Sequence, residues 1–231
     1  MKVLNLYSGV GGNAFLWGDD VTAVEIDPAI GEIYREFRPD DELIIGDAHQ
    51  YLLESYHRFD FIWSSPPCPS HSRLIRSGRN RKPRYPDMKL YEEIILLMHN
   101  CGDNIKFVVE NVKSYYEPLY PPRYMGRHAY WSNFTWPDFD EPAKDFDFIN
   151  GTDMAGRAAM QDWLGMHTGK VVYHNGGHCP AQIWRNAVHP LTGQHIMNAA
   201  RGIAPIAASQ SDMFSEYEKH NSGEVYHDYD H

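Results

Sequence analysis

The chain contains little cysteine and no long apolar segment. Its three cysteines are an odd number scattered over 231 residues, so a disulfide scaffold is not expected. No apolar run approaches the roughly 18–20 residues that span a bilayer, and the N-terminus lacks a signal-peptide pattern. The sequence therefore excludes membrane-spanning and disulfide-rich classes and predicts a cytoplasmic protein.

Basic residues are also in the minority, because the formal net charge is -10. A protein that binds nucleic acid needs cationic surface, but a local patch is enough. Residues 73–84 provide such a patch, with no acidic residue among six basic ones: Arg73, Arg76, Arg79, Arg81, Lys82 and Arg84. A run of this kind can be a solvated surface and nothing more. Its position shortly after Cys68, a candidate functional residue, favours contact with phosphates.

The apolar residues form an alternating series of strand and helix patterns. Hydrophobic residues make up 42% of the chain, enough for one large domain with a core. Strands are predicted at residues 3–7, 21–25, 42–45, 59–63 and 105–109, and helices at 13–18, 28–37 and 91–100. This alternation predicts an α/β fold with a mostly parallel, doubly wound sheet.

The pattern changes after the first 134 residues. Glycine, proline, aspartate, asparagine and tryptophan dominate residues 135–190, with a single strand pattern at 170–173. We interpret this part as a small, irregular recognition insert. Residues 191–215 are expected to return to the domain formed by residues 1–134, and residues 216–231 to form a flexible tail.

Candidate functional residues directly follow the predicted strands. They are Gly9, Glu25, Asp47, Cys68 and Glu110. In open α/β sheets, ligands bind at the carboxyl ends of the strands. The sequence therefore predicts one site at this edge of the sheet.

The first three turns have the residues of a nucleotide-like pocket. A glycine-rich loop from Tyr7 to Gly12 follows the first strand, Glu25 suits a ribose diol, and Asp47 could accept from an adenine amino group. Each acid alone is more often a helix cap or turn residue. As an ordered set they resemble the S-adenosylmethionine (SAM) pocket of class I methyltransferases. The predicted cofactor residues are Tyr7, Ser8, Gly9, Gly11, Gly12, Glu25, Ile26, Asp47, Ala48 and Pro66.

Cys68 follows two prolines and precedes a polar stretch, which indicates a rigid, exposed loop. A free cysteine is most often a small core residue, but a fixed loop suits a nucleophile. The thiolate is the reactive form, and His71 could lower the pKa of the thiol. The pair could also be half of a metal site, completed by His174, His178 and Cys179. The paired spacing of such sites is missing, so no metal is predicted.

Glu110 ends an apolar strand and is expected in a partly buried cleft. Burial raises the pKa of a carboxyl group and favours its protonated form, which can donate a hydrogen bond. An ordinary ion pair with a nearby lysine or arginine is the alternative. Asn111 is expected to fix the adjoining loop through side-chain to backbone hydrogen bonds.

Pro66-Pro67-Cys68, Glu110-Asn111-Val112 and the glycine loop, in this order, resemble the DNA cytosine-C5 methyltransferase family over residues 3–134. The segment beginning Arg127-His128 is similar to the family's arginine segment. The family usually has two arginines spaced by one residue, whereas this chain has only Arg127 clearly, with His128 or the nearby Arg123 for the second. The resemblance implies a Rossmann-like class I fold with SAM as cofactor. It implies that Cys68 attacks C6 of cytosine, that Glu110 hydrogen-bonds the base, and that Arg127 contacts the base carbonyl or its phosphate.

The resemblance also implies the partner. Double-stranded DNA with an extruded cytosine is expected, contacted by Ser70 and the six basic residues of the segment 73–84. An RNA cytosine-C5 methyltransferase and a non-catalytic DNA-binding relative are the alternatives. The short insert is similar to that of phage-borne members, and a monomer in a bacterial or infected cell is expected. The family's closing Gly-Asn motif is matched only loosely, by residues 198–205.

Overall fold

A computed structural model describes residues 1–76, 84–147, 150–174 and 177–203 of the chain. Arg79, Arg81 and Lys82 of the basic segment lie outside these ranges, as do the side chain of Arg76 and the tail predicted at residues 216–231. The described residues build a single seven-stranded sheet. Its strands are β1 (Lys2–Leu6), β2 (Asp20–Glu25), β3 (Glu42–Ile45), β4 (Phe61–Ser64), β5 (Lys106–Val112), β6 (Arg123–Met125) and β7 (His128–Ser132).

The sheet is mostly parallel, as predicted. Its strand order is β3-β2-β1-β4-β5-β7-β6, and β7 runs antiparallel to both neighbours. The order reverses between β1 and β4, which pair directly. A reversal of this kind opens a crevice at the carboxyl edge of a sheet, where ligands bind. The turns after β1 and β4 carry the glycine loop and Cys68.

Six helices among the described residues connect or cover the strands. They are α1 (Pro28–Phe37), α2 (Ala48–Ser55), α3 (Lys89–Asn100), α4 (Met154–Leu164), α5 (Gln182–Arg185) and α6 (Pro190–Ala200). Local chemistry explains their starts. Asp27 caps α1 ahead of a proline at the first helical position, and Asp47 caps α2 by accepting from two backbone N–H groups.

Alternate residues of the central strands enter the cores on opposite faces of the sheet. Leu4 of β1 and Ile62 of β4 pack with α3 on one face. Val3 and Phe61, their neighbours in the chain, pack on the other face with Ile196 of α6. Strands buried on both faces confirm the doubly wound arrangement.

The region predicted to be an irregular insert contains a helix that the sequence analysis missed. Asp153 caps α4, and Gly165 ends it in the left-handed conformation, two signals that the sequence does contain. Met160 and Leu164 of α4 join a buried cluster with Ile33 of α1. This part of the chain therefore covers the sheet domain.

Two smaller predictions of secondary structure were wrong. Residues 13–18 form successive turns with i to i+3 hydrogen bonds, since six residues are too few to repay helix nucleation. Residues 170–173 are not a strand. The carbonyl of Lys170 accepts from the Arg157 side chain, and the N–H of Lys170 donates to the Thr168 hydroxyl. The backbone groups of Lys170 therefore do not form hydrogen bonds with a neighbouring strand. None of the helices in the described ranges has the length and hydropathy to cross a membrane.

Candidate active site

The loop that carries Cys68 is held from two directions. The backbone N–H groups of His71 and Ser72 donate to the Cys68 carbonyl at 3.0 and 3.1 Å. The Asn111 side chain donates to the carbonyl of the buried Pro66 at 2.9 Å. Asn111 thus fixes the loop, as predicted, and ties the segment after β4 to β5. The cysteine itself is half-buried.

The electrostatic surroundings of Cys68 favour the neutral thiol. Burial raises its pKa to about 11; Glu110 acts in the same direction and Arg127 in the opposite one. His71 was expected to lower the pKa of the thiol, but its ring contacts a different residue. The Nδ1 atom of His71 lies 2.6 Å from the Tyr116 hydroxyl, and burial lowers the pKa of this histidine. His71 is therefore mainly neutral and packs between Tyr91 and Tyr116.

Glu110 is buried inside β5, opposite Tyr130 of β7, and not at the end of the strand. Burial raises the pKa of this carboxyl group to about 7, while the Ser65 hydroxyl and Arg127 oppose the rise. The group is therefore close to half-protonated at neutral pH. A carboxyl group in this state can both donate and accept, which is what contact with a cytosine edge requires.

Arg127 occupies the turn between β6 and β7 and is partly buried. Its Nη2 donates to the carbonyls of Arg185 at 2.5 Å and Ala187 at 3.3 Å. It also interacts electrostatically with Glu110 and Cys68. The structure thus places the side chains of Cys68, Glu110 and Arg127 within electrostatic range of one another.

His128 is one of the two residues, with Arg123, that the sequence offers for the family's second arginine. It is buried, and its Nε2 lies 3.6 Å from Oε1 of Glu110. Burial and the nearby charge of Arg127 hold its pKa well below the usual range. It therefore contributes a neutral ring beside Glu110 where an arginine would bring a positive charge.

A segment that the sequence analysis did not identify closes the site from the C-terminal side. Arg185, the last residue of α5, and Ala187, in the loop before α6, supply the two carbonyls that Arg127 binds. The Val188 carbonyl of the same loop occupies the space that a Cβ on Gly12 would need. Asn198, in the motif expected at 198–205, lies at the end of α6, so that placement was wrong. Pro190, at the first position of an apolar helix, is the signal that could have located this loop.

The glycine loop after β1 has room and unused polarity for a ligand. Gly9 has φ +55°, and a Cβ built there would meet no atom closer than the Tyr7 carbonyl at 4.0 Å. The Ser8 hydroxyl is buried without a hydrogen-bond partner in the described structure. In contrast, Gly11 and Gly12 have close neighbours, the ring of Tyr34 and the Val188 carbonyl. Close packing at both positions, together with a φ of +84° at Gly11, therefore accounts for those two glycines.

The acids predicted to bind the cofactor make contacts with their own turns. Glu25 accepts from the backbone N–H groups of Gly9 and Asp27, both at 2.9 Å, and so connects the turns after β1 and β2. Asp47 caps α2 through Oδ1, which leaves its half-exposed Oδ2 facing outward near Lys89. Ala48 is buried, whereas the side chain of Ile26 is 66% exposed. Ile26 is therefore available to cover a flat apolar group.

The residues predicted to bind DNA are only partly described. The Ser70 hydroxyl accepts from the Asp87 backbone N–H at 2.9 Å. Arg73 is exposed and its Nε donates to the Ser114 carbonyl at 3.4 Å, and Arg84 is exposed. Across the described ranges, no three His, Cys, Asp or Glu side chains group as a metal site would need.

Together, the doubly wound sheet with its antiparallel strand β7 between β5 and β6, the open glycine loop and the cysteine after β4 define a Rossmann-like SAM-dependent methyltransferase fold. The particular family is shown by a family model. The chain belongs to the C-5 cytosine-specific DNA methylase family, whose model matches residues 1–118, just over half of its length.

Similar proteins of known name are tRNA (cytosine(38)-C(5))-methyltransferases. The human protein is 33% identical over 123 residues, which are 50% of this chain and 31% of the human one. The Spodoptera frugiperda protein is 28% identical over 49% of this chain and 36% of its own length. The match thus spans about a third of these curated relatives.

Solved structures also resemble the chain. A mutant of Spodoptera frugiperda DNMT2 is 16% identical, with 87% of this chain and 99% of the other covered and a TM-score of 0.49. The Entamoeba histolytica methyltransferase EhMeth is 10% identical over 87% and 98% of the two chains, with the same TM-score. The family assignment rests on the match of residues 1–118.

Proposed function

We propose that the protein transfers a methyl group from SAM to C5 of a cytosine in a nucleic acid. The convergence of Cys68, Glu110 and Arg127 at the carboxyl edge of the sheet carries this proposal. Cysteine supplies a nucleophile, the carboxyl group can both donate to the base and accept from it, and the arginine supplies positive charge. These are the groups needed to activate a pyrimidine ring by addition.

The roles of the three side chains follow from their surroundings. The sulfur of Cys68 bonds to C6 of the base, and the electron pair of the C5–C6 double bond moves to C5. Glu110 hydrogen-bonds N3 and the exocyclic amine, which withdraws charge from the ring as the bond forms. Methyl transfer to C5, loss of the C5 proton and departure of the thiolate then yield 5-methylcytosine. A stacked base cannot reach this buried site, so it must leave the helix.

The cofactor residues suit SAM. Gly9 leaves space at the backbone, the Ser8 hydroxyl lacks a partner, and the exposed Ile26 is next to Glu25. We infer that Ser8 and Gly9 hold the amino acid part, that Glu25 holds the ribose and that Ile26 covers the adenine. When bound, SAM supplies an electrophilic methyl group.

Two substrates are proposed, and one assay separates them. The family model describes DNA methylases, which favours cytosine in duplex DNA. The names of the curated relatives favour a cytosine in tRNA. Transfer of labelled methyl from SAM is measured on duplex DNA and on folded tRNA, each with a control in which every cytosine is already methylated at C5. Label in only one unmethylated polymer identifies the substrate, and label in neither contradicts the proposed function.

The pH dependence of kcat/KM should have a broad plateau. Attack needs the form with a Cys68 thiolate and a protonated Glu110. This form carries the same number of protons as the form with a Cys68 thiol and an ionised Glu110, so the ratio of the two forms does not change with pH. With pKa values of about 7 for Glu110 and about 11 for Cys68, the rate should rise tenfold per pH unit to pH 7 and then stay flat toward pH 11. A rate that keeps rising through pH 7 to 10 would contradict this coupling.

Neutralising the exposed arginines that flank the basic segment should weaken binding to nucleic acid. For Arg73→Gln with Arg84→Gln, affinity should fall, and the slope of log affinity against log salt should decrease by about 0.7–0.9 per lost phosphate contact. Arg58→Gln is the matched control, because Arg58 is equally exposed but precedes β4 at the opposite edge of the sheet. An unchanged salt slope in the double variant would remove these arginines from the interface.

A further inference from the structure

Glu93 is a fully buried acid that the proposed chemistry does not use. It lies on α3, and both carboxylate oxygens are occupied. Oε1 accepts from the Tyr7 hydroxyl at 2.6 Å and is 2.9 Å from Nδ1 of His49. Oε2 accepts from the Ser64 hydroxyl at 2.5 Å. A buried carboxylate of this kind is tolerated only because several donors surround it.

The three partners of Glu93 lie on three different segments at the carboxyl edge of the sheet. Tyr7 begins the glycine loop after β1. Ser64 is the last residue of β4, directly before the loop that carries Cys68. His49 is in the first turn of α2, next to the Asp47 cap. One carboxylate therefore links the turns on both sides of the point at which the strand order reverses.

The backbone conformation of Tyr7 gives an independent indication that the contact with Glu93 holds a strained residue in place. Tyr7 has φ +53° and is the only non-glycine residue with positive φ in the described ranges. A bulky side chain is strained in this left-handed conformation, and such strain persists only where the surroundings impose it. The short hydrogen bond from the Tyr7 hydroxyl to Glu93 is a contact that holds the residue there. The turn that begins at Tyr7 continues into Ser8 and Gly9, the two residues proposed to hold the cofactor.

We propose that Glu93 is a positioning residue for the cofactor pocket, which holds the Tyr7 turn, the end of β4 and the start of α2 in their binding geometry. This inference rests on the proposed use of SAM. Glu93 itself touches neither the base nor the cofactor in this account; it acts through Tyr7, Ser64 and His49. Its loss should therefore change cofactor affinity much more than the chemical step.

Titration calorimetry with S-adenosylhomocysteine tests the proposal directly. Glu93→Gln should weaken binding by roughly tenfold or more, the scale of one lost charge-assisted hydrogen bond. Tyr7→Phe should weaken it several-fold and remains interpretable if the Gln variant fails to fold. Because both changes break the same contact, the double variant should lose less than the two effects combined. In methyl transfer, KM for SAM should rise while kcat at saturation stays nearly constant.

Glu92→Gln is the matched control. A carboxylate oxygen of Glu92 also lies 3.1 Å from the His49 Nε2, but the Glu92 side chain is 60% exposed. Its substitution should leave binding unchanged. Wild-type affinity for S-adenosylhomocysteine in folded Glu93→Gln, or a fall in kcat with unchanged KM, would overturn the positioning role. A wild-type protein that binds neither SAM nor S-adenosylhomocysteine would instead overturn the proposed function on which the inference rests.

Discussion

Replacing Cys68 with serine should abolish methyl transfer, with a loss of at least about 10⁴-fold. A serine hydroxyl in the same place is a far weaker nucleophile than a thiolate, and burial disfavours its ionisation further. Cofactor affinity should stay close to that of the wild type, since Cys68 lies outside the glycine loop. The two quantities are measured as transfer of labelled methyl and as calorimetric binding of S-adenosylhomocysteine.

Cys179→Ser provides the control for this change. Cys179 is also a half-buried free cysteine, but it packs at the edge of the cluster formed by α1 and α4. The variant should retain near wild-type transfer. Measurable activity in Cys68→Ser at a tenth of the wild-type rate would rule out Cys68 as the nucleophile.

Replacing Glu110 with glutamine should reduce the rate by roughly 10²–10³-fold, the usual effect of losing a preorganised electrostatic group. Glutamine keeps the shape and can still donate and accept hydrogen bonds. It cannot exchange a proton or follow the charge that develops on the base. The variant should also lose the break in the pH profile near pH 7, so that its residual rate increases with pH toward the pKa of Cys68.

The same change should stabilise the folded protein above neutral pH. The pKa of Glu110 is raised to about 7 from an ordinary 4.5, so the folded state binds the proton more tightly than the unfolded state. The ionised group therefore costs stability progressively from about pH 4.5 to 7, to a total of about 3 kcal/mol. Glu110→Gln should unfold at higher denaturant than the wild type at pH 8 and nearly equally at pH 4. A destabilised variant at pH 8 would contradict this account of the buried carboxyl group.

The sequence was sufficient where local chemistry decides the structure. The five parallel strands were predicted because each combines an apolar run with a turn, and α1 because Pro28 suits the first turn of a helix. The carboxyl-edge position of Cys68 followed from this alternation, whereas Glu110 was expected at the end of its strand and lies within β5. Asn111 was also predicted correctly, since a short amide beside a proline-rich loop has backbone carbonyls within reach.

The missing parts depend on contacts between distant segments. The loop before α6 acquires its role only because it packs on Gly12 and its Ala187 carbonyl accepts from Arg127. The sequence offered residues 198–205 only as a loose match to the family's closing motif. The neighbour of Cys68 in sequence, His71, turns toward Tyr116, a direction that no local pattern fixes. Glu92 and Glu93 are adjacent in the sequence, and only the fold distinguishes the buried Glu93 from the exposed Glu92.

Covalent trapping tests the central claim most directly. The protein is incubated with SAM and either duplex DNA or folded RNA in which cytosine carries fluorine at C5, and the products are separated under denaturing conditions. Because fluorine cannot leave C5 as a proton does, an enzyme that attacks C6 stalls as a stable adduct. We predict an adduct with one of the two polymers that requires SAM and disappears in Cys68→Ala. Binding of SAM without an adduct on either polymer would contradict the proposed mechanism.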